Sequence, residues 1–233
     1  MAFHFRYFEV EDEDSSLRVG TDAMLLGSWA TPGKAKKILD IGTGCGVLAL
    51  MMAQKSGATI DAIDTDLPSV MEARKNFSNA PWSSRITAIH HPLQSFSCGD
   101  ATGYDFIISN PPYFSNSLKS PSARINKTRH DDSLSLLELA QKVSDLLSVD
   151  GRFSVILPSE PAQRFRLICE KFHVYLSRRM VIYPKPAAPS KRMLLEFSKS
   201  QVGLEDCQEL IIRDSSGRYT DEYLVLTKDF HNF

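Results

Sequence analysis

The sequence predicts an α/β fold built on a doubly wound, mostly parallel sheet. Three observations predict it. From residue 37 onward short apolar strands alternate with helices, the pattern of a parallel sheet covered on both faces. A glycine-rich turn, Gly42 to Gly46, joins the first of these strands to its helix. Asn110-Pro111-Pro112-Tyr113 closes the fourth. Ligands of such sheets bind beyond the carboxyl ends of the strands, and both motifs fall there.

The elements follow in order. Phe3 to Val10 is aromatic and alternating, and the acidic run Glu11 to Asp14 follows it, which predicts a short hairpin arm. Asp22 is placed to cap a helix running through Ala30. Lys37 to Ile41 reads as a buried strand and Val47 to Lys55 as a strongly apolar helix. Thr59 to Asp64 and Leu67 to Asn76 repeat that pair; Ile86 to His90 and Tyr104 to Ser109 are the third and fourth strands. Ser133 to Leu147 is an amphipathic helix, and Asp150-Gly151 a turn before a fifth strand, Arg152 to Leu157. Pro161 to Phe172 is a helix, and Val174 to Tyr183 and Met193 to Ser198 are late strands. Glu209 to Arg213, the turn Ser215-Ser216-Gly217 and a helix from Thr220 finish the chain.

With 233 residues, 42% of them hydrophobic, the chain suits one large domain. Residues 1–34 read as an N-terminal arm and cap, and 35–233 as the core with C-terminal substrate-side elements. The 27 basic and 28 acidic side chains give a net charge of -1, so any nucleic-acid contact must come from a local basic surface. Cys45, Cys98, Cys169 and Cys207 show no Cys-x-x-Cys spacing; they read as reduced thiols and not as a zinc site. The N-terminus lacks the basic and apolar regions of a signal peptide. The longest apolar run, Val47 to Ala53, is too short to span a bilayer. A soluble cytoplasmic protein without a metal is expected.

Asp40-Ile41-Gly42-Thr43-Gly44-Cys45-Gly46 carries the first chemical signal. Glycines allow a tight turn and let a ligand approach the backbone. The helix beyond offers free N–H groups and a positive dipole end, which suits a carboxylate. Asp64 closes the next strand, 18 residues after Gly46, where it can accept hydrogen bonds from both hydroxyls of a ribose. Dinucleotide enzymes use G-x-G-x-x-G, whose third glycine would fall at Val47. Here the spacing is G-x-G-x-G after Asp40, and an acid there suits the ammonium end of a methionine better than a pyrophosphate. The arrangement resembles the class I methyltransferases that use S-adenosyl-L-methionine. The resemblance implies a Rossmann-like, seven-stranded sheet with an antiparallel C-terminal hairpin. The third strand of such enzymes often ends in an acid that meets the cofactor adenine. His90-His91-Pro92-Leu93-Gln94 puts Pro92 there instead, leaving Gln94 or a backbone group to substitute. His90 and His91 do not read as a metal pair, because neighbours on a strand point to opposite faces.

Asn110-Pro111-Pro112-Tyr113 carries the second signal. An exocyclic amine on an aromatic ring is a weak nucleophile, since its lone pair is delocalised. The Asn110 side-chain carbonyl and the Pro111 backbone carbonyl can accept its two N–H groups and stabilise the positive charge that develops on nitrogen. The prolines, Pro111 and Pro112, fix the backbone, and Tyr113 offers a flat surface on which a base stacks. Asn110 is also assigned to the cofactor. Enzymes with this motif methylate adenine in DNA or RNA, guanine N2 in RNA, or a glutamine amide.

Three further segments narrow the substrate: Arg18 to Gly27, Pro189 to Phe197, and Leu210 to Arg213 with Tyr219 to Phe230. Together with the two motifs they run in the order found in the bacterial tRNA adenine-N6 methyltransferases that modify valine tRNA beside the anticodon. The chain resembles that family over nearly its whole length. The resemblance implies methylation of N6 of adenine 37 and an anticodon stem-loop as partner, and it places Thr21 and Asp22 over the cofactor. Lys119, Arg124, Lys127, Arg129 and His130 follow Tyr113 with no acidic residue until Asp131, in a loop long enough to be functional or disordered. Arg178, Arg179, Lys185, Lys191 and Arg192 form a second basic group. Such side chains suit phosphates. The alternatives are a different exocyclic amine, a protein glutamine, or an RNA-binding module without catalysis. Glutamine methyltransferases carry an N-terminal helical domain, for which the residues before the first strand leave little room, and the intact Asn-Pro-Pro-Tyr argues against an idle module.

Overall fold

The computed structural model describes residues 2–16, 18–99, 102–112, 135–201 and 206–231. The N-terminal arm is the predicted hairpin, β1 (Ala2–His4) antiparallel to β2 (Glu9–Glu11), with Phe5 and Phe8 stacked 4.4 Å apart in its turn. Helix α1 (Thr21–Trp29) follows, then β3 (Lys37–Ile41), α2 (Val47–Lys55), β4 (Thr59–Asp64), α3 (Leu67–Ser78), β5 (Ile86–His90) and β6 (Tyr104–Ser109). Beyond lie α4 (Leu136–Leu146), β7 (Leu147–Pro158), α5 (Ser159–Lys171), β8 (Tyr175–Tyr183), β9 (Arg192–Ser198), β10 (Asp206–Ile211) and α6 (Asp221–Thr227).

The main sheet runs in the order β10-β8-β9-β7-β6-β3-β4-β5. All neighbours are parallel except β9, which is antiparallel to both β7 and β8. The fold class is therefore the one predicted, but among the described residues the sheet has eight strands, not seven. The added one, β10, lies parallel on β8 at the edge. Both faces are covered. Helices α1, α2, α3 and α6 share one buried cluster, and α4 and α5 share the other. Among the described residues no helix is long and apolar enough to cross a membrane.

Two local expectations need correction. The N-cap of α1 is Gly20, with no side-chain cap; Asp22 is the second helical residue, because its carboxylate is engaged elsewhere. Asp150-Gly151 is not a turn between elements but part of β7. There a step of two residues on β6, Tyr104 to Phe106, faces a step of five on β7, Leu147 to Arg152, so the surplus bulges out. Helix α4 opens on a capping box between Ser135 and Glu138, while Ser133 and Leu134 of the expected span lie outside the described residues.

Two half-buried cations position α1. Lys55 Nζ, at the end of α2, donates to the carbonyls of Gly27 (2.9 Å), Ser28 (2.5 Å) and Ala30 (2.7 Å), satisfying the acceptors that a helix end leaves open. Burial lowers the Lys55 pKa to about 8. Arg178 stacks 4.0 Å over Trp29 and, with Arg152, meets the buried Glu196 at 3.1 and 3.3 Å. The end of α1 is thereby fastened to α2 and to the antiparallel half of the sheet.

Candidate active site

Strand register assembles the site. Ile41 pairs with Ile63 on one side and with Ser109 on the other, and Asp64 pairs with His90. The glycine turn, Asp64 and Asn110 therefore leave one edge of the sheet on neighbouring strands, about 4.8 Å apart. Ser109 Oγ, fully buried, donates to the Ile41 carbonyl at 2.8 Å and fastens the two turns' roots together. Gly42 N and Thr43 N donate to the Ile63 carbonyl at 2.9 and 3.0 Å.

Two glycines of this turn are needed for different reasons. Gly46 has φ +87°, and a Cβ there would lie 2.4 Å from the Phe77 ring; the packing of α3 against the turn excludes a side chain. Gly42 has φ +71°, is exposed, and its Cβ would meet nothing within 4 Å. Its missing side chain leaves room on the ligand side. Gly44 lies between them, also with positive φ.

Two carboxylates flank the turn. Asp40 is completely buried; Thr43 Oγ1 donates to its Oδ2 at 2.6 Å, and among the described residues its Oδ1 has no partner. Burial pushes its pKa up to about 7, against the opposing pull of the Thr43 hydroxyl. Asp64 is half-buried, its Oδ2 accepting from Gly44 N at 2.8 Å and its Oδ1 from Asp66 N at 2.9 Å. Burial raises its pKa as well, and the two N–H groups resist that rise.

Sequence reasoning missed how the arm is attached. Asn76 Nδ2 donates to the carbonyls of both Glu11 (2.8 Å) and Cys45 (2.9 Å), bridging the arm and the glycine turn. Glu72 accepts from Asp14 N at 2.9 Å, and Ser69 Oγ from Ser16 N at 3.0 Å. Residues 69, 72 and 76 lie on one helical face, and buried polar groups at that spacing, on a helix start capped by Asp66, are the signal that would have found them. The arm is thus laid along α3 next to the turn.

The remaining expected residues are placed as follows. Thr21 is exposed at the start of α1. Asp22 Oδ2 accepts from Arg192 Nε at 2.8 Å, so a residue assigned to the cofactor and one assigned to RNA are in contact. Lys191 is exposed in the β8–β9 connection. Asn110 and Pro112 are half-buried and Pro111 is buried at the end of β6. Tyr113, Lys119, Arg124, Lys127 and Arg129 lie outside the described residues. His90 Nε2 stands 3.0 Å from the Thr65 carbonyl and His91 Nδ1 2.9 Å from that of Pro92. Pro92 and Gln94 are both exposed beside Asp64's strand.

Known proteins place this geometry. Residues 15–129 match the family model of the methyltransferase small domain. Among solved structures, the Agrobacterium tumefaciens protein Atu636, titled a predicted O-methyltransferase, superposes with a TM-score of 0.68 at 19% identity, covering 90% of this chain and 96% of its own. A TehB-like SAM-dependent methyltransferase from Corynebacterium glutamicum gives 0.52 at 17% identity, covering 79% and 90%. These share the fold. A Bacteroides fragilis protein named tRNA1(Val) (adenine(37)-N6)-methyltransferase is 40% identical over 98% of this chain and 97% of its own length. A protein of the same name from Trichodesmium erythraeum is 38% identical over the same shares. Identity at that level, sustained from the arm through the C-terminal helix, places this chain in the tRNA1(Val) (adenine(37)-N6)-methyltransferase family.

Proposed function

We infer that this protein methylates the N6 amino group of adenine 37, beside the anticodon of valine tRNA, with S-adenosyl-L-methionine as donor. The observation that carries the chemistry is the pairing of Ile41 with Ser109, which sets a cofactor-type glycine turn beside Asn110-Pro111-Pro112. The name shared by relatives that match the whole chain supports the substrate.

The residues fit the donor. When bound, S-adenosyl-L-methionine supplies an electrophilic methyl group on a sulfonium. The partnerless Oδ1 of Asp40 suits a nearby cation, the open backbone at Gly42 suits a close approach, and the half-buried Asp64 suits a pair of ribose hydroxyls. The arm and the start of α1, with Thr21 and Asp22, border the same edge and act as a cap, so residues 1–34 and 35–233 work as one domain.

On the acceptor side, the Asn110 amide oxygen and the Pro111 carbonyl take the two N–H groups of the adenine amine, and Tyr113 stacks on its ring. These dipoles stabilise the positive charge that develops as nitrogen attacks. The product amine then loses its proton to water. An anticodon-loop base costs little to extrude because it is unpaired. Lys119, Arg124, Lys127, Arg129, Lys191 and Arg192 hold phosphates of the anticodon stem-loop.

The test is incubation with unmodified valine tRNA and labelled cofactor, digestion, and mass spectrometry of the nucleosides. N6-methyladenosine at position 37 is expected. Label on guanosine, or on a protein glutamine with none on tRNA, overturns the substrate.

A further inference from the structure

The C-terminal turn carries a stacked column with no part in the chemistry above. Tyr219 and Tyr223 stack 4.6 Å apart at an interplanar angle of 14°. The Arg213 guanidinium lies 4.1 Å over the Tyr219 ring, and its Nη1 donates to the Gly217 carbonyl at 2.7 Å. The backbone supports this: Arg213 bridges Tyr219 in antiparallel fashion, and Thr220 caps α6, on which Tyr223 sits. Tyr219 remains 38% exposed although it is aromatic and stacked. Arg213 is thus held flat, one face on an aromatic ring, in a region open to solvent.

Its place in the fold matters as much as its geometry. Strands β10 and β8 run parallel to β6, so the turn after β10 leaves the same edge of the sheet as Asn110. The registers Ser109↔Val155, Pro158↔Arg192, Arg192↔Ile182 and Ile182↔Leu210 advance this edge outward strand by strand. Pro158 lies three residues past Val155, and Arg213 three past Leu210. The column therefore lies six residues further along the sheet edge than Ser109 in register, and about 19 Å to the side across four strand spacings. Arg213 N also donates to the Pro184 carbonyl at 3.2 Å, which sets the column against the β8–β9 connection with its exposed Lys185 and Lys191. The nearest acid in the turn, Asp214, is engaged: it accepts from Ser216 N, Ser216 Oγ and Arg218 N.

We propose that the Arg213–Tyr219–Tyr223 column is a second RNA-binding subsite, where an unpaired base of the substrate stacks on the Arg213 guanidinium while Lys185 and Lys191 meet adjacent phosphates. The proposal rests on the tRNA reading above. A planar guanidinium backed by an aromatic ring is a surface on which single-stranded RNA bases stack. A base held a few nucleotides away from the reacting adenine orients the loop without touching the chemistry.

The test is the affinity of Arg213→Lys for unmodified valine tRNA, measured with a melting curve and a cofactor titration. Lysine keeps the charge and loses the plane. An affinity loss of at least about fivefold, the low end for one stacked base, with unchanged cofactor affinity supports the proposal. Wild-type affinity in a folded Arg213→Lys protein overturns it. Wild-type protein that binds no tRNA overturns the tRNA reading and this subsite together. Should Arg213→Lys unfold, protection of the wild-type Arg213 by tRNA from a dicarbonyl reagent decides: protection supports the subsite and full reactivity overturns it.

Discussion

Arg192 Nε donates to Asp22 Oδ2 at 2.8 Å across 170 positions of sequence, joining the first turn of α1 to the start of β9. Neither side chain is deeply buried, at 31% and 24% exposure, so the pair contributes on the order of 0.5–1 kcal/mol to stability. It fixes the first turn of α1 to the start of β9, on the same sheet edge as the glycine turn. Asp22→Ala and Arg192→Ala are each expected to weaken cofactor binding by a similar factor, and the double variant no further. Calorimetry on the three proteins checks this; additive losses would mean that the two residues act separately.

Asp40 makes the site sensitive to pH. Its folded pKa, about 7, lies above the ordinary aspartate value of 3.8, so between these values the folded state binds the extra proton. Stability from Asp40 is therefore full below about pH 4 and is lost as pH rises through 7. Asp40→Asn is expected to melt higher than the wild type at pH 8, by a margin that vanishes near pH 4. A cationic ligand favours the ionised carboxylate, so cofactor binding is expected to release a proton near pH 6.5. Calorimetry in buffers of different ionisation heat measures that proton; a binding heat independent of buffer would separate Asp40 from the cofactor.

Gly42 and Gly46 are expected to fail differently when mutated to alanine. Both carry the strain of a positive φ, about 1–2 kcal/mol. Gly46→Ala adds a collision with the Phe77 ring and loses roughly 3 kcal/mol or more in all. Gly42→Ala meets no protein atom and loses only the strain, but its methyl group enters the cofactor's space. Thermal melts and cofactor titrations on both variants should show Gly46→Ala chiefly unstable and Gly42→Ala chiefly unable to bind.

Asn110→Ala removes one of two acceptors for the target amine. The loss is expected in kcat, by about a hundredfold, with KM little changed, because the contact strengthens as charge develops. Tyr113→Ala is expected to impair both constants, and Tyr113→Phe to retain most of the activity, since stacking needs only the ring. Single-turnover kinetics with valine tRNA distinguish these outcomes.

The core strands were legible because they are apolar runs bounded by turn residues; Lys37–Ile41, Thr59–Asp64, Ile86–His90 and Tyr104–Ser109 begin and end where the pattern put them. The placement of the glycine turn and of Asn110 to Pro112 was legible for the same reason, since both follow directly on core strands. What escaped depends on distant partners. Asp22 reads as a helix cap until Arg192 competes for its carboxylate. The edge strand β10 is mostly exposed, Asp206-Cys207-Gln208-Glu209, and so has little hydrophobic signal; a strand was expected only from Glu209. The Asn76 bridge needs two backbone segments 34 positions apart, Glu11 and Cys45, to arrive together.

The triple clamp of Lys55 fastens one end of α1 more firmly than the other. A half-buried ammonium shared by three carbonyls ties α1 to α2, and α2 starts at the glycine turn itself. The opposite end of α1 is held at the surface by the Asp22 carboxylate and one arginine. Any loosening of α1 is therefore expected to begin at its exposed Thr21 end, away from the Lys55 clamp.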